Sequence, residues 1–416
     1  MKKVLIWVAL LCSLAILTAC TTQPGQEPSM EQETVEQKQE LLGPVKVMTI
    51  DGIDIREYAI VSESGTFSTA AKLIQRGIEG ATGYKPEIVA GSQLAEGTPA
   101  IVLCSSGYGS SAKFSVADKS YGIYCENGNV YICGNDDMME LYGTKEFVYN
   151  VLGYNTKLAT AKSEQVVLEN LNVTGTYEAK TVSADEEFFT HSELVAEING
   201  PFLEALTYNT LQGSCTDGKY AYFCLLDKAS SAAGCSIFKY DMSDWSLVKV
   251  NYNVQVGHGN SMCYVASRDQ LMVVNYSSSM EVQFIDTETL EIVTSKMLPF
   301  ETYCATYNVE KDMYAFGVKA AKKFYVLDGQ FNLINNADIK STAGDQSAYC
   351  DDQYIYFIYY NPNCVVVYDW DCNYVNTIYM DTTIEAESGF LADGNLYIAY
   401  YISPGKGGQV YKMEIF

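Results

Sequence analysis

The chain has 416 residues, 48% of them hydrophobic, with 33 tyrosines and a formal charge of −24 from 27 basic and 51 acidic side chains. Such apolar content is ample for packed cores in about two domains, and the acidic balance makes nucleic acid and anionic lipid poor partners. Thirteen cysteines invite a zinc or disulfide reading, but there is no CxxC and only two histidines, so no metal or cofactor is expected.

Lys2 and Lys3 precede an apolar run, residues 4–17, that is too short and wrongly flanked for a spanning helix. The run ends in Leu17, Thr18, Ala19 and Cys20. This order of charge, apolar run, small residues and cysteine resembles the lipobox of bacterial lipoproteins. The resemblance implies a signal peptide over 1–20, diacylglyceryl transfer to the Cys20 thiol and cleavage before it, with palmitate-type chains as the membrane anchor. No later apolar run approaches the roughly 20 residues a bilayer needs, so the remainder is read as an extracytoplasmic body at the cell surface or the periplasmic face. Residues 21–44, rich in Gln, Glu, Thr and Pro at their start, read as a flexible tether with too little apolar surface to fold.

From 45 to 178 the pattern mixes helix and strand. VKVMTIDGIDIREYAIV reads as two strands around a glycine turn, and TFSTAAKLIQRGIEGATG as a helix with Ala70, Leu73, Ile74, Ile78 and Ala81 on one face and Gly83 as its stop. Strands follow at KPEIV, AIVLCS and SYGIYCENGNVYICG, then a second helix from about 138 to 152. The turn at Asn127 and Gly128 sets Cys125 opposite Val130 and Cys133 opposite Gly122, so those two sulfurs are out of register. Most of the cysteines read as small buried hydrophobes. SSGYGSS at 105–111 does not match a phosphate-binding loop and reads as a plain loop. The order IREYAIV, AAKLIQRGIEGATG, then strand, strand and the helix ending YGTKEFVYNVLGY resembles the small α/β accessory domain of α-glucuronidases and β-hexosaminidases. The resemblance implies a carbohydrate-active setting. In those enzymes this domain does not supply the catalytic carboxylates, and the barrel that follows it there has no counterpart here.

From about 190 to 416 the chain is strands and turns. An apolar strand ending in an acid recurs as IFKYD (Asp241), VQFID (Asp286), FYVLD (Asp328), VVVYD (Asp369) and VYKME (Glu414), at intervals of 45, 42, 41 and 45 residues. Such a period, with four short strands per unit, is the signature of a β-propeller. Five openings, TDGKYAYF, SRDQLMVV, EKDMYAFG, CDDQYIYF and ADGNLYIAY, predict five blades, or six if the TLQG stretch at 210–213 hides another. The last unit stops one strand short, and residues 191–200 can supply the missing outer strand, which removes the exposed edges. The fold class is thus an α+β accessory domain followed by an all-β propeller. GHGNSMCY at 257–264 resembles repeats of the YVTN and NHL kind, which implies that His258 is first a landmark holding a loop between blades.

The same period aligns His258 with Gln212, Glu301, Gln346 and Glu387, and loops at this position border the axial funnel of a propeller. A ring of these five, flanked by Asn260 and Tyr303, offers hydrogen bonds, negative charge and an aromatic face, which suit a sugar. Hydrolysis would need two carboxylates about 5–10 Å apart; Glu301 and Glu387, with Asp345 near, are the candidates. The repeated acids read instead as turn formers. There is no GxSxG, His191 falls in the closing strand, and no catalytic residue is assigned. The expected function is a lipid-anchored binding protein for carbohydrate or another envelope component. A glycan-cleaving hydrolase and a scaffold for a surface protein are the alternatives.

Overall fold

The computed structural model describes residues 43–62, 69–109, 116–178, 180–198, 210–226, 234–275, 279–318, 322–341, 344–380, 382, 384–402 and 407–416. The leader, Cys20 and the tether up to residue 42 lie outside them. Among the described residues no helix is long and apolar enough to cross a membrane.

The first part is an α/β layer. Strand β1 (Val47–Ile50) lies beside β2 (Ile53–Asp54), across the Asp51–Gly52 turn, where Gly52 has φ +79°. Next come β3 (Ala59–Val61), α1 (Thr69–Thr82), β4 (Ile88–Val89), β5 (Ala100–Leu103), β6 (Ser120–Glu126), β7 (Asn129–Gly134) and α2 (Asp137–Glu146). A small pair, β8 (Tyr154–Asn155) and β9 (Thr160–Ala161), precedes β10 (Gln165–Leu168) and β11 (Asn172–Thr176). Strand β10 joins β1 in parallel, and the larger sheet runs β11-β6-β7-β5-β3-β4 with β4, β3, β5 and β7 parallel.

All five residues expected on the apolar face of α1 are buried, and Gly83, at φ +78°, ends it as a left-handed cap. Helix α2 starts where the Asp136 carboxylate accepts from Met139 N at 2.8 Å. It leaves α geometry at Glu146 and continues as a π-turn, Phe147–Val151, which keeps Phe147 and Val148 in the core. The register at the Asn127–Gly128 turn sets Cys125 opposite Val130 and Gly122 opposite Cys133. Cys133 is bonded to Cys104 instead, just past the end of β5. Most of the free cysteines among the described residues are buried.

The remainder is β and propeller-like. Strand β12 (Phe188–Ile198) comes first, followed by units of four antiparallel strands. These are β13–β16 (Thr210–Thr216, Tyr220–Leu226, Cys235–Asp241, Ser246–Val254) and β17–β20 (Ser261–Val265, Gln270–Val274, Glu281–Asp286, Ile292–Met297). Then come β21–β24 (Cys304–Asn308, Met313–Val318, Lys323–Asp328, Leu333–Asp338) and β25–β28 (Gly344–Cys350, Tyr354–Tyr360, Cys364–Asp369, Tyr374–Tyr379). The last unit has only β29 (Ala386–Ala392), β30 (Asn395–Tyr401) and β31 (Gly408–Ile415); β12 lies outside β31, antiparallel from Thr190–Ile415 to Ile198–Gly408. The first strands of the units neighbour one another in turn, and β29 returns beside β13. Strand β12 also pairs in parallel with β28, fusing the last two units into an eight-stranded sheet whose end strands, β25 and β29, meet so that it curls nearly closed. The TLQG stretch is the start of β13.

The repeated acids hold their turns. Asp241 Oδ1 accepts from Ser243 N, Asp286 Oδ1 from Glu288 N and Thr289 N, Asp328 Oδ1 from Gln330 N and Asn332 N, and Asp369 Oδ1 from Asn373 N, at 2.7–3.0 Å. Glu414 differs: it sits inside β31 opposite His191. These hydrogen bonds favour the charged form and hold the Asp241, Asp286 and Asp328 carboxyls below the usual range, led by the Ser243 hydroxyl, the Thr289 N–H and the Asn332 side chain respectively.

Two outcomes follow. A depressed folded pKa contributes stability above the unfolded value, near 3.9, that is lost as pH falls through the folded one. The urea midpoint should therefore drop on acidification below about pH 4, and Asp328→Asn should flatten that drop while lowering the midpoint at neutral pH. Phe416 is fully buried against Tyr142 and Tyr177 of the first layer and Phe189 of β12. Phe416→Ala should cost about 3–5 kcal/mol in urea unfolding.

Candidate functional site

The first strands of the propeller-like part are tied together by buried serines. Ser214 Oγ lies 2.7 Å from Ser388 Oγ, and Ser388 Oγ donates to Gln212 O at 2.7 Å. Ser347 Oγ donates to Ser261 Oγ at 2.9 Å, two units away, so this bond crosses the axis. Ser261 Oγ also accepts from Ala305 N at 3.2 Å. All four serines have no more than 0% exposure, so the axis is closed by satisfied hydroxyls rather than open as a channel.

Above this plug lies a cavity of about 360 Å³, lined by Thr210, Gln212, His258, Asn260, Gly344, Asp345, Gln346, Tyr360, Glu385, Glu387 and Tyr401. Three of its five flanking first strands carry β-bulges, between Leu211 and Ser214, Asp345 and Ala348, and Ala386 and Ser388. A bulge re-aims the side chains at its extra residue, and Gln212, Gln346 and Glu387 sit at these three. Strands β17 and β21 pair without a register shift.

Five of the seven expected residues, Gln212, His258, Asn260, Gln346 and Glu387, therefore converge. Glu301 does not. It is exposed and outside the lining, because Thr302 turns inward and donates to Cys304 O and Gly317 O at 2.9 and 2.8 Å. Tyr303 is buried in the core below, with its hydroxyl 3.4 Å from Tyr359 and its carbonyl accepting from Asn260 Nδ2 at 3.1 Å. The Glu301–Glu387 pair is thus not assembled; the cavity's carboxylates are Asp345, Glu385 and Glu387.

His258 is held by its loop. Gly257 and Gly259 both have φ +64°, and a Cβ at either would strike the Asn275 side chain or Cys224 Sγ. His258 N donates to Asn275 Oδ1 at 2.7 Å, and the Cys235 thiol donates to Gly257 O and His258 O. Asn260 Nδ2 reaches Gln346 O at 2.6 Å, and Gln346 Nε2 donates to Glu385 Oε1 at 3.1 Å. Gln212 uses its Nε2 on Leu211 O at 2.8 Å. Its Oε1, and Thr210 Oγ1, are buried without a hydrogen-bond partner among the described residues, on residues 3% and 6% exposed.

Spacing alone did not reveal Thr210, Gly344, Tyr360, Glu385 or Tyr401. The tyrosines close the second strands of the last two units, and the doubled Tyr-Tyr of YFIYYN and YIAYYI was a usable signal. Gly344 stands opposite Tyr360, where a Cβ would meet only its backbone and ring edge, and Tyr401 N donates to Glu385 O. In the 105–111 stretch, of which residues 105–109 are described, Ser105 N and Oγ both donate to Glu140 at 2.7 Å, and burial pushes that carboxyl upward. Among the described residues no cluster of His, Cys, Asp and Glu has the arrangement to hold a metal ion.

No protein-family model matches the chain, and no curated protein sequence matches it. Among solved structures it is similar to the Myxococcus xanthus glutaminyl cyclase, at 10% identity over 55% of this chain and 98% of that one, with a TM-score of 0.41. It is also similar to the Kuenenia stuttgartiensis hydrazine synthase, at 12% identity over 33% and 41% of the respective chains, with a TM-score of 0.27.

The serine plug makes its own prediction. Ser261→Ala leaves Ser347 Oγ and Ala305 N without their shared partner in a buried site, and should cost about 1–3 kcal/mol in chemical unfolding.

Proposed function

We propose that the chain is a lipid-anchored binding protein whose five units form a five-bladed propeller and whose axial cavity holds a neutral or cationic sugar. The unpartnered Gln212 Oε1 and Thr210 Oγ1 carry this reading. A buried polar atom without a partner costs about 1–3 kcal/mol, and a ligand hydroxyl relieves that cost. A sugar hydroxyl both donates and accepts, which suits a wall of amides and carboxylates. The rings of Tyr360 and Tyr401 border the same space and offer apolar faces to the C–H side of a pyranose. Asp345, Glu385 and Glu387 disfavour an acidic ligand. The leader sequence supports anchoring through Cys20 outside the cytoplasm, and the tether would hold the body off the membrane. The part from 45 to 178 is read as an accessory domain.

The three carboxylates in one cavity favour glycoside hydrolysis as a second reading, with Glu387 and either Asp345 or Glu385 as the pair.

Calorimetric titration of the full chain with a panel of neutral and amino sugars tests both. Gln212→Ala should weaken the bound sugar by about 1 kcal/mol, roughly fivefold in Kd. Glu387→Gln should weaken it by roughly tenfold or more, as a charge-assisted hydrogen bond is lost. Glu301→Gln should leave Kd unchanged. Release of reducing sugar that Glu387→Gln abolishes would replace binding by hydrolysis. Absence of binding across the panel would overturn the reading and leave a protein-docking scaffold to pursue.

A further inference from the structure

The axial cavity does not stand alone. Tyr360 lines it on one side and, on the other, a cleft of about 980 Å³ between α1 and the fourth unit. That cleft shares Thr69, Phe189, Tyr379 and Met380 with a third hollow of about 800 Å³, which extends to His191 and the start of α2. The axial cavity, about 360 Å³, is near the lower limit of small-molecule sites and the 980 Å³ cleft near the upper. The three hollows thus adjoin through shared lining residues.

The wall between cavity and cleft is preformed. Asn363 Nδ2 donates to Thr382 O and Ile384 O at 2.8 and 2.5 Å, and its Oδ1 accepts from Ala386 N. This fastens the hairpin after Tyr360 to the segment that carries Glu385 and Glu387. Tyr360 is half-buried and borders both hollows. Along the cleft, Tyr379 is 45% exposed at the end of β28, with Met380 beside it and Phe189 beneath. The cationic side is largely neutralised: Arg76 is held by both oxygens of Glu187 at 3.1 Å, while Lys72 borders the cleft with ammonium donors. Aromatic faces, amides and few net charges match a run of sugar rings better than a polyanion.

Resting on the reading of the axial cavity as a sugar site, we infer that its ligand is an oligosaccharide, with one terminal unit in the axial cavity and the following units crossing Tyr360 onto Tyr379. The cavity fixes which end enters. The cleft adds affinity through stacking and is tolerant of the exact unit, since an exposed ring reads shape more than hydroxyl pattern.

The test is affinity against chain length. The full chain is titrated with ladders of β-1,4-linked glucose, β-1,4-linked N-acetylglucosamine and α-1,4-linked glucose, from one unit to six. In at least one ladder Kd should fall by roughly tenfold between one unit and four, a gain of about 1.4 kcal/mol, and then level off. Tyr379→Ala should erase that gain without changing Kd for the single unit, and Tyr379→Phe should keep it. Glu387→Gln should weaken every length by the same factor. Binding that is independent of length, or a Tyr379→Ala effect equal at all lengths, would overturn the groove while leaving the axial sugar site standing. Failure of every length in every ladder would overturn both.

Discussion

The structure depends on one ladder, β12 against β31. Strand β12 precedes every unit in the sequence, yet its antiparallel partner is the last strand of the chain. Alternation along a strand sends successive side chains to opposite faces, and here adjacent phenylalanines serve two cores. Phe188 packs with Ile378, Ile398 and Met413 of the propeller-like part, while Phe189 packs with the α/β layer. The ladder ends where Phe189 and Phe416 exchange backbone hydrogen bonds at 3.0 and 3.1 Å, and the Phe416 ring enters the first layer's core. Closing the ring of units and seating one layer on the other are therefore the same event.

The helix side of this junction is fixed by a buried cation. Lys145 of α2 is 1% exposed, with Nζ 3.1 Å from Glu186 Oε2 and 4.8 Å from the centre of the Phe188 ring. Burial lowers its pKa and Glu186 opposes that fall. An ion pair desolvated this far adds little net stability, but removing either partner strands the other. Its effect is positional: it ties α2 to the residues immediately before β12. The parallel register of β12 with β28, Phe189 opposite Tyr379, then sets the floor of the cleft.

Much of this was legible in the sequence and some was not, for identifiable reasons. The repeated acids and their spacing came through because each turn is satisfied locally, within four residues of its own aspartate. The face of α1 and the offset of Cys125 from Cys133 came through because both follow from a single element's geometry. Glu301 was misplaced because alignment by interval does not read the local turn, where Thr302 faces inward and Glu301 outward. β-Bulges displace the chain by one residue in β13, β25 and β29, whereas β17 and β21 have none. Tyr360 and Tyr401 escaped because they end second strands, and Glu385 because it precedes β29, positions the alignment of openings did not sample. The cleft was beyond reach, since it joins α1, β12 and β28, elements separated by up to about three hundred residues of chain.

That uneven distribution of bulges also explains why the site is one-sided. Equal units would surround the axis with equal side chains and give a symmetric funnel. Instead, the lining carboxylates come only from the fourth and fifth units, and the unpartnered acceptors from the first. The second unit contributes a rigid glycine-flanked loop and the third contributes a buried tyrosine beneath the floor. The fourth and fifth units are also the two that β12 fuses into one sheet, and so the two that approach the α/β layer. The units that supply the cavity's carboxylates are thus the two that the closing strand joins.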